Sequence, residues 1–533
     1  MLNKLVKRSS RSICSKLLKT SRLYHSFPDP QEVPKISHSK SNHVSRKLKK
    51  DTSFSDEEFQ IKIPEINNDS HVDFESSDFT HVTKLDNNLT VSSQDMHGLM
   101  SSFAFAVGSG SANENDNEFG ATQILELSAF SGSIDDTDII SEIEKLGGMV
   151  QCISSRESIM YCVDVLKENL EPAMKLLSNV ILKSPTNLSE YDIEECKMIM
   201  QYQWDELPGE IISRDHVSIA AYSTSSLGKH HFLPLDSLDK LNISNVNSFY
   251  NNNFYSENCH LCAAGVNHDE FVALSKKYFN TLKNKNEMNI INKNNDTEII
   301  DHKGGLILQQ RELREPFVKV AVGFEVGGWH STDDNIVAVC VLQQLLGGGS
   351  SFSAGGPGKG MYTRLYRELL NRYHWVEGAE SFVTVYNKRG ILGIDGACKS
   401  EDVHKMLQVL LDQLIRLAYE PVSEEELNRA KNMLKSMMLM QLESRLVLCE
   451  DITRQMLTYG YRESPSDLIK KIDDISFEDI QNVAIKMIKF DPSIAIIGYD
   501  TSNVPTYENI KAFKKAYQDS LQTHFDSLNK EEK

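Results

Sequence analysis

The feature that most constrains this chain is an internal repeat. The same succession of hydrophobic periods occurs twice, on either side of an Asn- and Lys-rich stretch at residues 283–303. The first half opens with an alternating strand, residues 102–108 (SFAFAVG). Helical periods follow around 122–130 and 137–146, then strands through 160–165 and a helix over 170–181. The second half repeats the order with a strand at 317–323 (FVKVAVG), helices at 335–346 and 361–371, strands through Phe382 and Leu392, and a helix over 403–417. Ser189 with Asp192, and Ser423 with Glu426, have the spacing of capping boxes and predict helices that begin at Glu190 and Glu424. Strand-like runs at 259–266 and 493–499 close the two halves. This predicts an α+β fold of two similar domains, residues 80–282 and 304–505. Each is a mostly antiparallel sheet covered by helices; they are joined by the 283–303 linker and form a cleft that is the default binding site. Residues 506–533 read as a charged C-terminal tail.

The amino end reads as an address. Residues 1–24 carry Lys4, Lys7, Arg8, Arg11, Lys16, Lys19 and Arg22, and no acidic residue precedes Asp29. Leu2, Leu5, Val6, Ile13, Leu17 and Leu18 can share one helical face, which gives the basic amphipathic pattern of a mitochondrial transit peptide. Arg22 stands two residues before the aromatic Tyr24, so cleavage is expected after Tyr24. The mature chain is then expected in the mitochondrial matrix or at the matrix face of the inner membrane. Residues 25–79 read as a low-complexity, mostly disordered extension.

No stretch reaches the ~18 apolar residues that span a bilayer; the longest candidate, 336–346, is interrupted by Gln343 and Gln344. The balance of 57 Lys+Arg against 75 Asp+Glu, a formal charge of −18, argues against nucleic acid and favours basic ligands. Nine scattered cysteines suit a reducing compartment. Cys259 and Cys262 lack a second ligand pair and are expected as buried thiols in a strand. His230 and His231 are expected to be solvated in a loop.

On the helix after the first strand, Gln123-Ile-Leu-Glu126-Leu127 resembles the H-x-x-E-H helix of the pitrilysin-type, or inverted, zinc peptidases. In that family two histidines at i and i+4 hold zinc and the glutamate activates water. Here Gln123 and Leu127 occupy the histidine positions, and the site of the third, glutamate ligand falls near Gln203 on the helix that starts at Glu190. Leucine cannot bind a metal and an amide is a poor substitute for imidazole or carboxylate. No G-x-S-x-G elbow offers a competing nucleophile. The chain is expected to hold no cofactor and to be no enzyme on its own.

The most distinctive run is Gly347, Gly348, Gly349, Ser350, Ser351, Phe352, Ser353, Ala354, Gly355, Gly356, Pro357, Gly358, Lys359, Gly360 and Met361. It is no P-loop, because Lys359 is followed by Gly360 and the preceding element is a helix. The run resembles the glycine-rich loop of the alpha chains of mitochondrial processing peptidases. The likeness extends through 370–375 (LNRYHW), 440–445 (MQLESR), Glu450-Asp451 and Arg454-Gln455, and covers roughly 79–500. It implies a non-catalytic subunit that binds basic presequences through this loop, with Lys359 and Met361 foremost, and presents them to a zinc-bearing beta subunit for removal. An extended presequence would add to a sheet edge, with Glu377, Glu380, Glu450 and Asp451 as candidate anchors for its arginines. Core subunits of respiratory complex III share the two-half fold, so a structural role there, instead or in addition, stays open.

Overall fold

A computed structural model describes residues 79–131, 133–134, 137–286, 301–311, 313, 316–331, 335–350 and 361–531. All belong to one compact unit, residues 74–533. The transit-peptide reading, nearly all of the 25–79 extension, most of the linker and residues 351–360 of the glycine run lie outside the described residues.

The first half builds a sheet from β1 (His81–Lys84), β2 (Thr90–Gln94), β3 (Met100–Val107), β6 (Met149–Ser154), β7 (Ile159–Leu166) and β8 (Cys259–Ala264), in the order β1-β2-β8-β3-β7-β6. β4 (Ser133–Ile134) and β5 (Thr137–Asp138) form a separate small hairpin. The second half uses β9 (Gly305–Gln310), β10 (Val318–Gly327), β11 (Gly348–Ser350), β12 (Val376–Val385), β13 (Arg389–Cys398) and β14 (Ser493–Gly498), in the order β9-β14-β10-β13-β12-β11. Each sheet has one parallel pair, β2 with β8 and β9 with β14, and is otherwise antiparallel. The repeat seen in the sequence is thus a repeat of topology. It places β3 and β10 at the centre of their sheets.

Alternation along the central strands assigns two different faces. Phe103, Phe105 and Val107 point into the first core with the helices of their own half, while Ala104 and Ala106 face the other way. In β10, Val318, Val320, Val322 and Phe324 enter the second core, and Ala321 and Gly323 lie on the opposite face. Small residues on a face let a helix approach closely, and the helix that approaches comes from the other half. Arg445–Tyr459 lays Leu448, Cys449, Ile452 and Met456 on Ala104, Ala106, Met160 and Cys162 of the first sheet. Reciprocally, Gly209–Tyr222 sets Val217, Ala221 and Tyr222 against Ala321, Ile391 and Ala495 of the second. Each large aliphatic side chain buried in this way contributes ~1.5–3 kcal/mol. The small-residue face of each sheet is therefore covered by a helix of the other half.

Helices begin at Glu190 and Glu424. Ser189 makes the full box with Asp192. Ser423 accepts from the Glu426 amide, but the Glu426 carboxylate is drawn instead to Arg364 at 2.8 and 3.0 Å. The helix expected over 361–371 is a single π turn, Leu365–Leu370. Residues 506–533, expected as a tail, form the helix Tyr507–Glu531. It buries Ile510 in the second core and packs Phe513 and Tyr517 against it. Cys259 and Cys262 are buried thiols in β8, on opposite faces.

Candidate functional site

The helix Ala121–Ser128 is held at its start by a buried acid. The Glu114 carboxylate accepts from Gly120 N at 2.8 Å and from Thr122 N and Oγ1 at 2.9 and 2.7 Å, while burial pushes its pKa up. Gln123 uses its side-chain oxygen to accept from Leu233 N at 3.4 Å, and Leu127 packs against the first core. Glu126 accepts from the Ser154 amide at 3.3 Å and from the Ser154 hydroxyl; burial raises its pKa and these two bonds partly offset the rise. Gln203 sits half-buried on Glu190–Glu206, a helix that packs beside this one. An amide tied to a backbone, a leucine facing the core and a second amide give zinc no ligand set. The residues do not fit the metal, and no catalytic step can run through it here.

The glycine run begins as structure. Gly347 caps the helix Ile336–Leu346 at φ +59°, where L side chains are strained, and accepts from Ser381 N at 2.8 Å. Gly348, Gly349 and Ser350 then form β11, the edge strand, paired with Glu380, Ala379 and Gly378 of β12. A Cβ on Gly348 would stand 2.1 Å from the Ala379 carbonyl oxygen, so this pairing requires glycine. Over these first residues the run is thus part of the second sheet. Ser351, Phe352, Ser353, Ala354, Gly355, Gly356, Pro357, Gly358, Lys359 and Gly360 lie outside the described residues. Beyond them Met361 is 41% and Tyr362 65% exposed. Arg364 is clamped to Glu426 and anchors the start of the π turn Leu365–Leu370.

The four acidic candidates fall into two places. Glu377 and Glu380 lie on β12 beside the glycine strand; Glu380 pairs with Arg214 at 2.9 Å, and Arg214 also holds the buried Asp395 at 3.1 Å. Glu450 and Asp451 lie on Arg445–Tyr459 over the first sheet. Glu450 accepts from Gln151 Nε2 at 3.3 Å, and Asp451 pairs with Arg462 at 3.3 Å. Sequence reasoning missed Arg214 because it precedes Glu380 by 166 positions, and missed Arg462 because its 11-position offset from Asp451 crosses the end of the helix Arg445–Tyr459.

Between the helices Ile336–Leu346 and Glu424–Leu442 runs a groove of about 730 Å³, lined by Gln344, Glu425, Asn428, Arg429, Asn432, Met433, Ser436, Met437 and Met440. It lies within the second half. Methionines on an open surface adapt to varied apolar side chains.

Two six-stranded mixed sheets that exchange helices, with an inverted-peptidase helix emptied of its ligands, define the class of protein. Residues 89–235 match the family described as Insulinase (Peptidase family M16), and residues 240–434 the family described as Peptidase M16 inactive domain. The chain is 32% identical to the human mitochondrial-processing peptidase subunit alpha over 81% of its own length and 84% of that protein. It is 33% identical to the subunit of Bos taurus and 32% to that of Solanum tuberosum, with the same coverage. A chain of complex III2 from Candida albicans superposes with a TM-score of 0.68 over 81% of this chain and 99% of that one, at 18% identity, a likeness of fold. The chain belongs to the M16, or pitrilysin-type, peptidase family, among the mitochondrial-processing peptidase alpha subunits.

Proposed function

We propose that this chain is the non-catalytic subunit of a mitochondrial processing peptidase, located in the matrix or at the matrix face of the inner membrane. In this reading it binds basic presequences beside its glycine run and presents them to a zinc-bearing beta subunit. The observation that carries the reading is the glycine strand β11 at the edge of the second sheet. An edge strand offers backbone N–H and C=O groups to an extended peptide. The acidic chain draws the cationic peptide. Lys359 and Met361 would contact it, and Glu377, Glu380, Glu450 and Asp451 remain its proposed anchors. Glu380 and Asp451 would have to exchange Arg214 and Arg462 for presequence arginines.

The test is cleavage of a basic presequence peptide by the mature chain alone and paired with a beta subunit, each with and without chelator. Only the pair should cut, and chelator should stop it. Removal of residues 351–360 should lower kcat/KM by about 100-fold, as misplaced substrate does. Cleavage by the lone chain, or an undiminished rate without the loop, would overturn the reading. Co-migration of the native chain with complex III in membrane extracts would reveal a structural role there.

A further inference from the structure

The seam between the halves holds a cluster that the proposed function does not use. Arg156, in the turn between β6 and β7, is buried and donates Nε to the Leu227 carbonyl at 3.0 Å and Nη1 to the Tyr386 hydroxyl at 3.3 Å. Its Nη2 pairs with Asp215 Oδ1 at 2.6 Å. Asp215 and His216 are neighbours on the crossing helix Gly209–Tyr222, 5% and 6% exposed, and His230 comes from the loop that follows it. His230 and His231, expected to be solvated, are half-buried. The cluster had no signal in the sequence, because His230 follows His216 by 14 positions, across the end of the helix and the loop after it, and this matches no ligand spacing.

One ligand atom from each of Asp215, His216 and His230 lies within 4.8 Å of the others. The same place concentrates unsatisfied polar atoms. Among the described residues, Asp215 Oδ2 and the Nδ1 atoms of His216, His230 and His231 are buried without a hydrogen-bond partner. Buried polar atoms are nearly always paired with protein, water or an ion, so this concentration of orphans calls for a partner. An imidazole without its second proton has a ring-nitrogen lone pair to offer a metal.

We infer that Asp215, His216 and His230 form a binding site for a divalent transition cation of the zinc type, separate from the abolished peptidase site. Two imidazoles and a carboxylate are a borderline nitrogen and oxygen set that suits zinc. Bonds of about 2.0–2.1 Å in a tetrahedron set donor atoms about 3.4 Å apart, so the three need only draw together slightly. Arg156 occupies one carboxylate oxygen and leaves the other for the metal, as partners behind a ligating carboxylate do. The nearby guanidinium also weakens cation binding, so affinity should fall below that of an all-thiolate structural site. A bound ion would tie the 223–234 loop to the crossing helix, and so reinforce the seam.

The test uses the full chain, purified alone so that no partner zinc is counted, with an affinity tag free of histidine. After chelator treatment it is equilibrated with low-micromolar Zn²⁺ and gel-filtered, and bound metal is measured. The wild-type chain and the surface control His404→Gln should retain about one ion each; His216→Gln, His230→Gln and Asp215→Asn should bind at least about tenfold more weakly. A second readout needs no variant: Co²⁺ in the wild-type chain should give paramagnetically shifted ring N–H signals from two histidines. Zinc should also raise the melting temperature of the wild-type chain and leave that of His216→Gln unchanged. Binding no different between wild type and the three variants, or a Co²⁺ complex without shifted histidine signals, would overturn the inference and leave buried water as the partner of these atoms.

Discussion

The two halves share the order of five strands, β2-β8-β3-β7-β6 and β9-β14-β10-β13-β12, and differ at both edges, where the first adds β1 and the second β11. In the first sheet β6 is the outermost strand, paired only with β7; in the second the equivalent strand, β12, is covered by the extra strand β11 made from the start of the glycine run. The halves differ again in what their repeated helices hold. Ala121–Ser128 in the first carries the emptied metal motif, whereas Ile336–Leu346 in the second leads straight into the glycine strand. A duplicated scaffold can thus differ in both places between its copies, because neither difference touches the exchanged helices that lock the copies together.

The strongest challenge to that lock is Arg156→Met. It leaves the buried Asp215 without its ion pair and unties Tyr386 of the second half, so the loss should reach ~3–5 kcal/mol in urea denaturation. The crossing helices can be compared next. Ile452→Ala, on the first sheet, should cost ~2–5 kcal/mol. Val217→Ala, on the second, should cost a smaller ~2 kcal/mol for the two methyl groups and the gap they leave. Both variants should unfold in a single transition; two separate ones would break the picture of interlocked halves.

Smaller effects concern pH. Burial, opposed by Arg214, pushes the Asp395 carboxyl of the second sheet up to about 7, against ~3.9 unfolded. The native state therefore holds the proton more tightly, and stability is lost as pH rises through that window, with a slope of at most ~1.4 kcal/mol per unit. Asp395→Asn should remove this fall, while Glu380 still holds Arg214. In the first sheet the sign reverses. Burial drives His260 down to about 3, so stability is present above the unfolded value of ~6.5 and is lost as pH falls toward 3. His260→Gln should flatten that acid limb, and it can keep a hydrogen bond to Ser92.

Much of the scaffold was legible in the chain. Period-2 and helical patterns located the central strands and the repeated helices, because side-chain direction is fixed by local geometry, but not the crossing helices Gly209–Tyr222 and Arg445–Tyr459. The cap serines placed Glu190 and Glu424 at helix starts, since capping involves groups three residues apart. The Glu426 carboxylate escaped that reading because Arg364, 62 positions away, competes for it.

The sequence by itself determined the duplicated strand order and the incapacity of Gln123, Leu127 and Gln203 to hold the family's zinc, which follows from side-chain chemistry alone. Only the tertiary structure decided which half covers each small-residue face, how Gly348 comes to pair with Glu380, and that Asp215, His216 and His230 meet over Arg156. Alternation marks a face as fit for close packing. The choice of partner depends on contacts between residues hundreds of positions apart, for which a linear pattern has no period.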